Sequence, residues 1–493
     1  MSLDRSAGQT LGHQLQEHLR EAIRSGRLQP GERLPSSRRL AQQLGLSRGL
    51  VVETYEQLRA EGYLEADTGS GTSVASRATF TATSTATSPA VSSIASRPSP
   101  QQQPPGRRIP PHDERPGRTP ELIDFEYGIP DLASFPMSDW AWALADTART
   151  MPSAQLGDDL DAGSLRLREV VTSYHRRLRA GCAAPDNAII VGGFRHGLNI
   201  VLGALARRGI THLGLEDPGP REHDVIAGRA GLGVVAVPVD DHGLDVARLR
   251  ASPARAVLVT PAHQCPTGAL LSSQRRRDLV AWAQEVDGVI VEDDYDAEFR
   301  YDRQPVGSLQ GLAPEHVIAL GSVSKTLAPA IKIGWMLVPP PLVTQLRQDM
   351  RLTSRGVPVL DQFALAALIE SGRFDRHLRR MRTLYATRRA TLSAAVEAAL
   401  PKLRLTGLAA GCHALLRLPD DLREAAVVAA AQRRSVRVRG LSDYRVGVGS
   451  AGNAAASPLG PALVLGFGNV NESRIRRGVD ALAKALTELN ATS

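Results

Sequence analysis

Hydrophobic positions follow different rhythms in different parts of the chain. In LGHQLQEHLREAIRSGRL, Leu11, Leu15, Leu19, Ile23 and Leu28 recur at approximately helical spacing, and the stripe stops near Gly26, which predicts a first packing helix. The next run, PGERLPSSRRLAQQLGLSRGLVVETYEQLRAEGYLEA, predicts a short helix capped by Ser36 and carrying Leu40, Ala41 and Leu44. Gly45 supplies a turn, and Ser47 caps a second helix with Val51, Tyr55 and Leu58 facing inward. GYLEADTGSGTSVAS then reads as a strand, a Gly-rich turn at Gly69 to Gly71 and a return strand.

Between about Thr79 and Pro120 the periodicity disappears. A Thr/Ser/Ala stretch gives way to Gln/Pro/Arg, a composition that cannot bury enough apolar surface to offset ordering entropy, so residues 77–121 read as a flexible linker. From about Leu122 the rhythm changes again. The apolar runs AIIVGG, THLGLED, VVAVPV, AVLVT, GVIVEDD and VIALG alternate with amphipathic helical patterns, which predicts an α/β sheet, mainly parallel, covered on both faces.

Composition narrows the class. In 493 residues, 42% are hydrophobic and 22% charged, and no apolar stretch approaches the length of a membrane span. Met1 to Thr10 lacks the basic start and apolar run of a secretory signal, so residence in the cytoplasm is expected, with no membrane partner. Cys182, Cys265 and Cys412 are far apart and show no CxxC or Cys/His spacing, which argues against a disulfide framework and a metal site. The net charge of +8 is compatible with nucleic acid without demanding it. Only four lysines occur, at 325, 332, 402 and 484, so each lysine repays attention.

Two constellations carry candidate chemistry. In a helix-turn-helix layout the start of the second helix enters the major groove, placing Ser47, Arg48 and Gly49 where bases and phosphates are reached and Arg38 against the DNA backbone. The other reading is a small helical bundle with solvated arginines. Farther on, VIALGSVSKTLAPAIKIGWMLVPP delivers Ser322, Ser324 and Lys325 into a turn after a buried strand, with Lys332 seven residues later. An amine, hydroxyl donors and a nearby cation are what pyridoxal 5'-phosphate requires. GVIVEDDYDAEFRYD adds a strand ending in Glu292, Asp293 and Asp294, a carboxylate source for the pyridine nitrogen, with Tyr295 able to reach the phenolic oxygen. IIVGGFRHGLNIVLGALA leads through Gly192 and Gly193 into a helix suited to phosphate, and LVTPAHQCPTGALLS puts His263 to Gly268 at a strand edge.

These segments carry a resemblance. The N-terminal run resembles GntR-type winged helix-turn-helix domains over about sixty residues. About 370 further residues are similar to fold-type I aminotransferases, and the wording EDPG, TPAHQCPTG, EDDYDAEFRYD and GSVSKTLAP looks like the MocR/GabR subfamily of GntR regulators. The resemblance implies an α+β winged helix-turn-helix over residues 8–76 that binds a double-stranded DNA operator through Arg38, Ser47, Arg48, Gly49 and Gly69. It implies an aminotransferase-like domain over residues 122–493, with a smaller α+β subdomain from about residue 345. It also implies Lys325 as the Schiff-base lysine, Asp293 as the ring-nitrogen partner and Tyr295 as a hydrogen-bond donor, with Gly193, Phe194, Arg195, Ser322, Ser324 and Lys332 around the phosphate, in a head-to-tail homodimer.

Some residues depart from the pattern. Pro220 stands where relatives usually carry a tyrosine, Cys265 where an Asn or aromatic residue is usual, Arg195 and His196 replace a Gln pair, and Lys332 replaces an arginine. ALVLGFGNV lacks the arginine that aminotransferases use for the substrate carboxylate, leaving Arg439 or Arg445 in RVRGLSDYRVG as substitutes. The expectation is therefore a cofactor-dependent sensor of an amine, an amino acid or the cofactor itself. A true aminotransferase with an accessory DNA-binding domain, and a dimerisation domain without cofactor, are the competing readings.

Overall fold

Three helices and a hairpin make up the N-terminal elements: α1 (Leu11–Arg24), α2 (Ser37–Leu44), α3 (Arg48–Ala60), β1 (Leu64–Asp67) and β2 (Gly71–Val74). The computed structural model describes residues 3, 10–67, 71–75, 122–157, 162–301, 306–354, 356–407, 410–446 and 459–492. The expected linker, residues 77–121, and Gly69 therefore lie outside the described residues. The chain divides into two compact units, residues 1–55 with 63–120 and residues 56–62 with 121–493.

The boundaries of the first elements have local causes. Ser36 and Ser47 accept from the backbone N–H groups of Arg39 and Leu50 at 3.3 Å, satisfying donors that a helix start leaves unpaired. Gly45 closes α2 in the left-handed conformation (φ 63°), which a β-carbon would disfavour. Leu15, Leu19, Ile23, Val51, Tyr55 and Leu58 are buried, as the helical spacing predicts. β1 and β2 pair antiparallel, with Leu64 opposite Val74.

The second unit runs β3 (Ile123–Asp124), α4 (Met137–Thr150), α5 (Leu165–Arg179), β4 (Ala188–Val191), α6 (Phe194–Arg207), β5 (His212–Asp217), α7 (Glu222–Arg229), β6 (Gly233–Asp240), β7 (Gly243–Leu244), α8 (Val246–Arg250) and β8 (Ala256–Val259). It continues α9 (Ser273–Glu285), β9 (Val289–Asp294), β10 (Val317–Ser322), β11 (Gly334–Leu337), α10 (Pro340–Thr353), α11 (Val359–Glu370) and α12 (Arg373–Ala399). The last elements are β12 (Arg404–Thr406), β13 (His413–Arg417), α13 (Glu424–Gln432), β14 (Val436–Arg437), β15 (Arg439–Gly440), β16 (Ala462–Gly466) and α14 (Glu472–Thr492).

The large sheet has the order β4-β11-β10-β9-β8-β5-β6-β7. Strands β10, β9, β8, β5 and β6 are parallel, and β11 runs against both β10 and β4. Its strands are apolar on both faces because both are covered. Ala188 and Ile190 of β4 enter one hydrophobic cluster with Trp335 and Leu337, while Ile189 and Val191 enter another with Leu320 and Met336. The first cluster continues into a smaller layer, where β12-β13-β16-β15 form an antiparallel sheet packed with α12 and α14. β3 pairs in parallel with β14 as a separate two-stranded sheet, Ile123 opposite Val436. Among the described residues, no helix is long and apolar enough to cross a membrane.

Candidate functional site

Strand alternation sorts the acidic end of β9. Successive side chains of a strand point to opposite faces, so Glu292 and Asp294 go one way and Asp293 the other. Glu292 is fully buried and accepts from the N–H groups of Leu309 (3.1 Å) and Gln310 (3.2 Å) and from the Ser308 hydroxyl, so it anchors structure. Asp294 meets the buried Arg179 guanidinium, Nε to Oδ2 at 3.2 Å. Asp293 is half-buried on the other face. Desolvation pushes its carboxyl well above the usual carboxylate range, the Asp294 charge adds to this, and the Lys325 amine opposes it.

Lys325 follows β10 in a turn where the Ser324 N–H donates to the Ser322 hydroxyl at 3.4 Å. Its Nζ donates to the carbonyl of Gly128 and lies 5.9 Å from the centroid of the Tyr127 ring. Gly128 has φ +79°, and a β-carbon there would sit 2.9 Å from that Nζ, so backbone and amine approach closely only because the residue is glycine.

Around this amine lies a set of buried polar side chains. The Tyr295 hydroxyl donates to the His263 carbonyl at 2.7 Å, and its ring packs edge-on to Tyr127 at 6.2 Å. His263 Nδ1 lies 2.9 Å from the carboxylate of Asp296, and the His413 ring is 4.6 Å from that of His263 and 4.8 Å from that of Tyr127. Burial holds the His413 imidazole well below its ordinary pKa, with the nearby His263 adding to the effect, and burial pushes the Cys265 thiol and the Tyr295 phenol up. His263, Asp296 and His413 have ligand-type atoms within 4.8 Å of one another, yet Asp296 is already hydrogen-bonded to His263. Gly411 closes over that pair, since a β-carbon on it would lie 2.2 Å from Asp296 Oδ2.

The expected phosphate-side residues lie where β4 passes through Gly192 and Gly193 into α6. Gly193 has φ +94° and caps the helix, and a β-carbon on Gly334 would come within 3.0 Å of its Cα. Phe194 opens α6 and packs against the buried His223 at 5.5 Å. Arg195 forms an exposed ion pair with Glu222, and His196 accepts from the Gly192 N–H at 2.9 Å. Lys332 is exposed, in a left-handed conformation (φ 54°) just before β11.

The two arginines expected to read a carboxylate already have acids of the chain. Arg445 Nε bonds both oxygens of Asp217 at 2.9 and 3.1 Å, and Arg439 Nε bonds Glu126 at 2.7 Å. Sequence patterns missed Tyr127, Gly128, Asp296 and His413. Their signals are weak: an aromatic–Gly pair outside any regular element, an acid one residue past a tyrosine, and a histidine opening a short strand. In the N-terminal unit, Arg38, Ser47, Arg48 and Gly49 are exposed at the starts of α2 and α3, and nothing lies within 4 Å of the β-carbon position of Gly49.

Comparison with known proteins agrees with both units. Residues 11–74 match the gntR family of bacterial regulatory proteins, and residues 120–456 match the class I and II aminotransferases. The HTH-type pyridoxine biosynthesis transcriptional regulator PdxR of Corynebacterium glutamicum is 32% identical, covering 94% of this chain and 93% of its own. The probable rhizopine catabolism regulatory protein MocR of Rhizobium meliloti is 33% identical, covering 99% and 96%. Among solved structures, Pyrococcus horikoshii kynurenine aminotransferase superposes with TM-score 0.67 at 23% identity over 75% of this chain and 92% of its own. LysN, the α-aminoadipate aminotransferase of Thermus thermophilus, gives 0.65 at 24% identity over 76% and 94%.

Proposed function

Since this chain belongs to the MocR type of gntR-family transcriptional regulators, with a helix-turn-helix domain ahead of a class I and II aminotransferase domain, we propose that it regulates transcription through pyridoxal 5'-phosphate held at Lys325. The signal in this reading is an amine or amino-acid effector, or the cofactor itself. The observation that carries the reading is the Lys325 amine, half-buried against the Gly128 carbonyl and close enough to Asp293 to act on its ionisation. The two solved relatives were obtained with PMP and with N-(5'-phosphopyridoxyl)-L-leucine, and the donor set here suits the same group.

When bound, the cofactor supplies an aldehyde carbon to primary amines and a ring that withdraws electrons from that centre. The chain's own residues do the rest. Asp293, beside the Lys325 amine, offers a half-buried carboxyl to a protonated ring nitrogen. The Tyr295 hydroxyl is able to turn from the His263 carbonyl to a phenolic oxygen. Gly193, Phe194, Ser322 and Ser324 offer N–H and hydroxyl donors to phosphate, and Arg195 and Lys332 lend positive charge from the exposed rim. Lys332 gives a point charge without the arginine fork.

In the same reading the operator is double-stranded DNA, met by Arg38, Ser47, Arg48, Gly49 and Gly69, and the protein works in the cytoplasm. A homodimer, head-to-tail as in the resembling family, is supported by apolar side chains left open on the second unit: Met137 is 67% exposed and Leu352 77%. The absorption spectrum tests the core of this proposal. Purified protein with added pyridoxal 5'-phosphate gains a visible band that Lys325→Ala removes, and operator binding in a mobility-shift assay responds to the cofactor only when Lys325 is present. An unchanged spectrum in the variant places the cofactor on another lysine.

A genuine aminotransferase is the second reading. The pairing of Arg439 and Arg445 with internal acids disfavours it, and steady turnover of an amino donor with a 2-oxo acid would restore it.

A further inference from the structure

The end of β5 holds an arginine–carboxylate pair to which the reading above gives no part in choosing the effector. Arg445 meets Asp217 through Nε to Oδ1 (2.9 Å) and Oδ2 (3.1 Å) and through Nη2 to Oδ2 (2.9 Å), and the Val446 N–H adds a bond to Oδ1 at 3.1 Å. Asp217 is buried and Arg445 half-buried, their side chains being 10% and 16% exposed. The Gly219 N–H donates to the Tyr444 carbonyl at 2.8 Å, which fixes the same stretch from the other side. Both carboxylate oxygens and the edge of the guanidinium fork are therefore engaged.

The residue before Arg445 links this pair to the surroundings of Lys325. The Tyr444 ring lies 6.5 Å from that of Tyr127, whose ring is in turn 5.9 Å from Lys325 Nζ. Val446 lines one cavity with Glu216, Pro220, His223 and Thr260 beside the start of α7. We propose that Asp217 stands in for a ligand carboxylate at Arg445, so that the pocket at Lys325 takes primary amines lacking a carboxylate in preference to amino acids of the same length. The inference rests on the cofactor reading above.

The physical ground is exchange. A guanidinium whose fork is filled by a buried acid offers a second carboxylate bidentate bonds only if the first leaves, and an acid that leaves is stranded without its cation. Arg439 and Arg195 also face acids, Glu126 and Glu222, but through single contacts in exposed pairs, so the burial that makes exchange costly is particular to Arg445. An amine without a carboxylate requires no exchange. It keeps the Asp217–Arg445 pair whole and meets a pocket rich in acids, with Asp293, Asp296 and Glu216 close by.

Calorimetric titration of the full-length, cofactor-loaded protein tests this, using propylamine and 3-aminopropanoate as probes and the visible absorbance as a second readout. The wild type is expected to bind propylamine at least about tenfold more tightly than 3-aminopropanoate, as the cost of stranding a buried acid demands. Asp217→Asn narrows that gap about tenfold by freeing the fork, and adding Arg445→Gln abolishes the gain. Equal binding of the two probes by the wild type overturns the proposal, as does an unchanged gap in a folded Asp217→Asn protein. If that variant shows no cooperative thermal transition, the wild-type comparison decides alone. Should neither probe bind the wild type, nor Lys325→Ala differ from it, the cofactor reading fails and this inference with it; binding of both probes equally, lost in Lys325→Ala, sinks the inference alone.

Discussion

The side-chain amine of Lys325 donates to the backbone carbonyl of Gly128, a residue 197 positions earlier in the chain. Gly128 has φ +79° and no room for a methyl group, since its β-carbon would lie 2.9 Å from the amine. Gly128→Ala is therefore expected to displace the amine and to destabilise the fold by about 1–2 kcal/mol through backbone strain. Cofactor titration followed by absorbance should show at least about a tenfold loss of affinity, equivalent to about 1.4 kcal/mol. Unaltered affinity would mean that the amine does not need this carbonyl beside it.

Glu216 gives a pH prediction. It is 7% exposed, and burial raises its carboxyl from 4.5 to about 7 despite bonds from the Thr260 N–H and hydroxyl and from Gln264. A carboxyl raised on folding contributes stability that is present below its unfolded value and lost as pH rises through the folded one. Relative to Glu216→Gln, the wild type should lose on the order of 1–3 kcal/mol between pH 4.5 and about 7, as the conversion of shift to free energy requires. Chemical denaturation of both proteins across that range measures it, and parallel stability curves would refute it.

Arg179 is 1% exposed and faces Asp294 at 3.2 Å and Glu292 at 3.9 Å. Arg179→Met leaves two buried acids without their cation, which costs about 3–5 kcal/mol. The loss should be smaller in acid, because burial already raises the Asp294 pKa and a proton then replaces the missing charge. Denaturant midpoints at acidic and alkaline pH separate the two cases.

The exposed arginines of the first unit should behave differently from one another. Arg48, at the start of α3, is expected to contribute to base reading, so Arg48→Ala should cost about 1–3 kcal/mol on operator DNA and relax sequence preference. Arg38→Ala should weaken binding to all sequences alike and reduce the salt dependence by about one ion. Mobility-shift titrations at several salt concentrations distinguish these outcomes.

Local signals were the legible ones. Ser36, Gly45 and Ser47 mark helix ends because capping and left-handed turns depend on a few neighbouring residues. Lys325, Asp293 and Tyr295 stand out because each follows or ends an apolar strand. The partners of Arg439 and Arg445 were not legible: Glu126 lies 313 and Asp217 lies 228 residues away. Taken alone, two arginines near the C-terminal end look available for a ligand, and only the fold brings their acids to them. Tyr127, Gly128 and His413 escaped for the same reason, since their meaning lies in what the sheet edge carries to them.

The pairing of β3 with β14 ties the backbone that leads to Lys325 to the C-terminal layer. Residues 123–126 are fastened to the C-terminal layer by Ile123 N–H to Ser435, Phe125 N–H to Arg437, Gly466 N–H to Phe125 and the Glu126–Arg439 ion pair. The next two residues, Tyr127 and Gly128, adjoin the lysine. One ribbon thus joins the C-terminal layer to the backbone beside Lys325, so any displacement of that layer reaches the amine through the main chain itself.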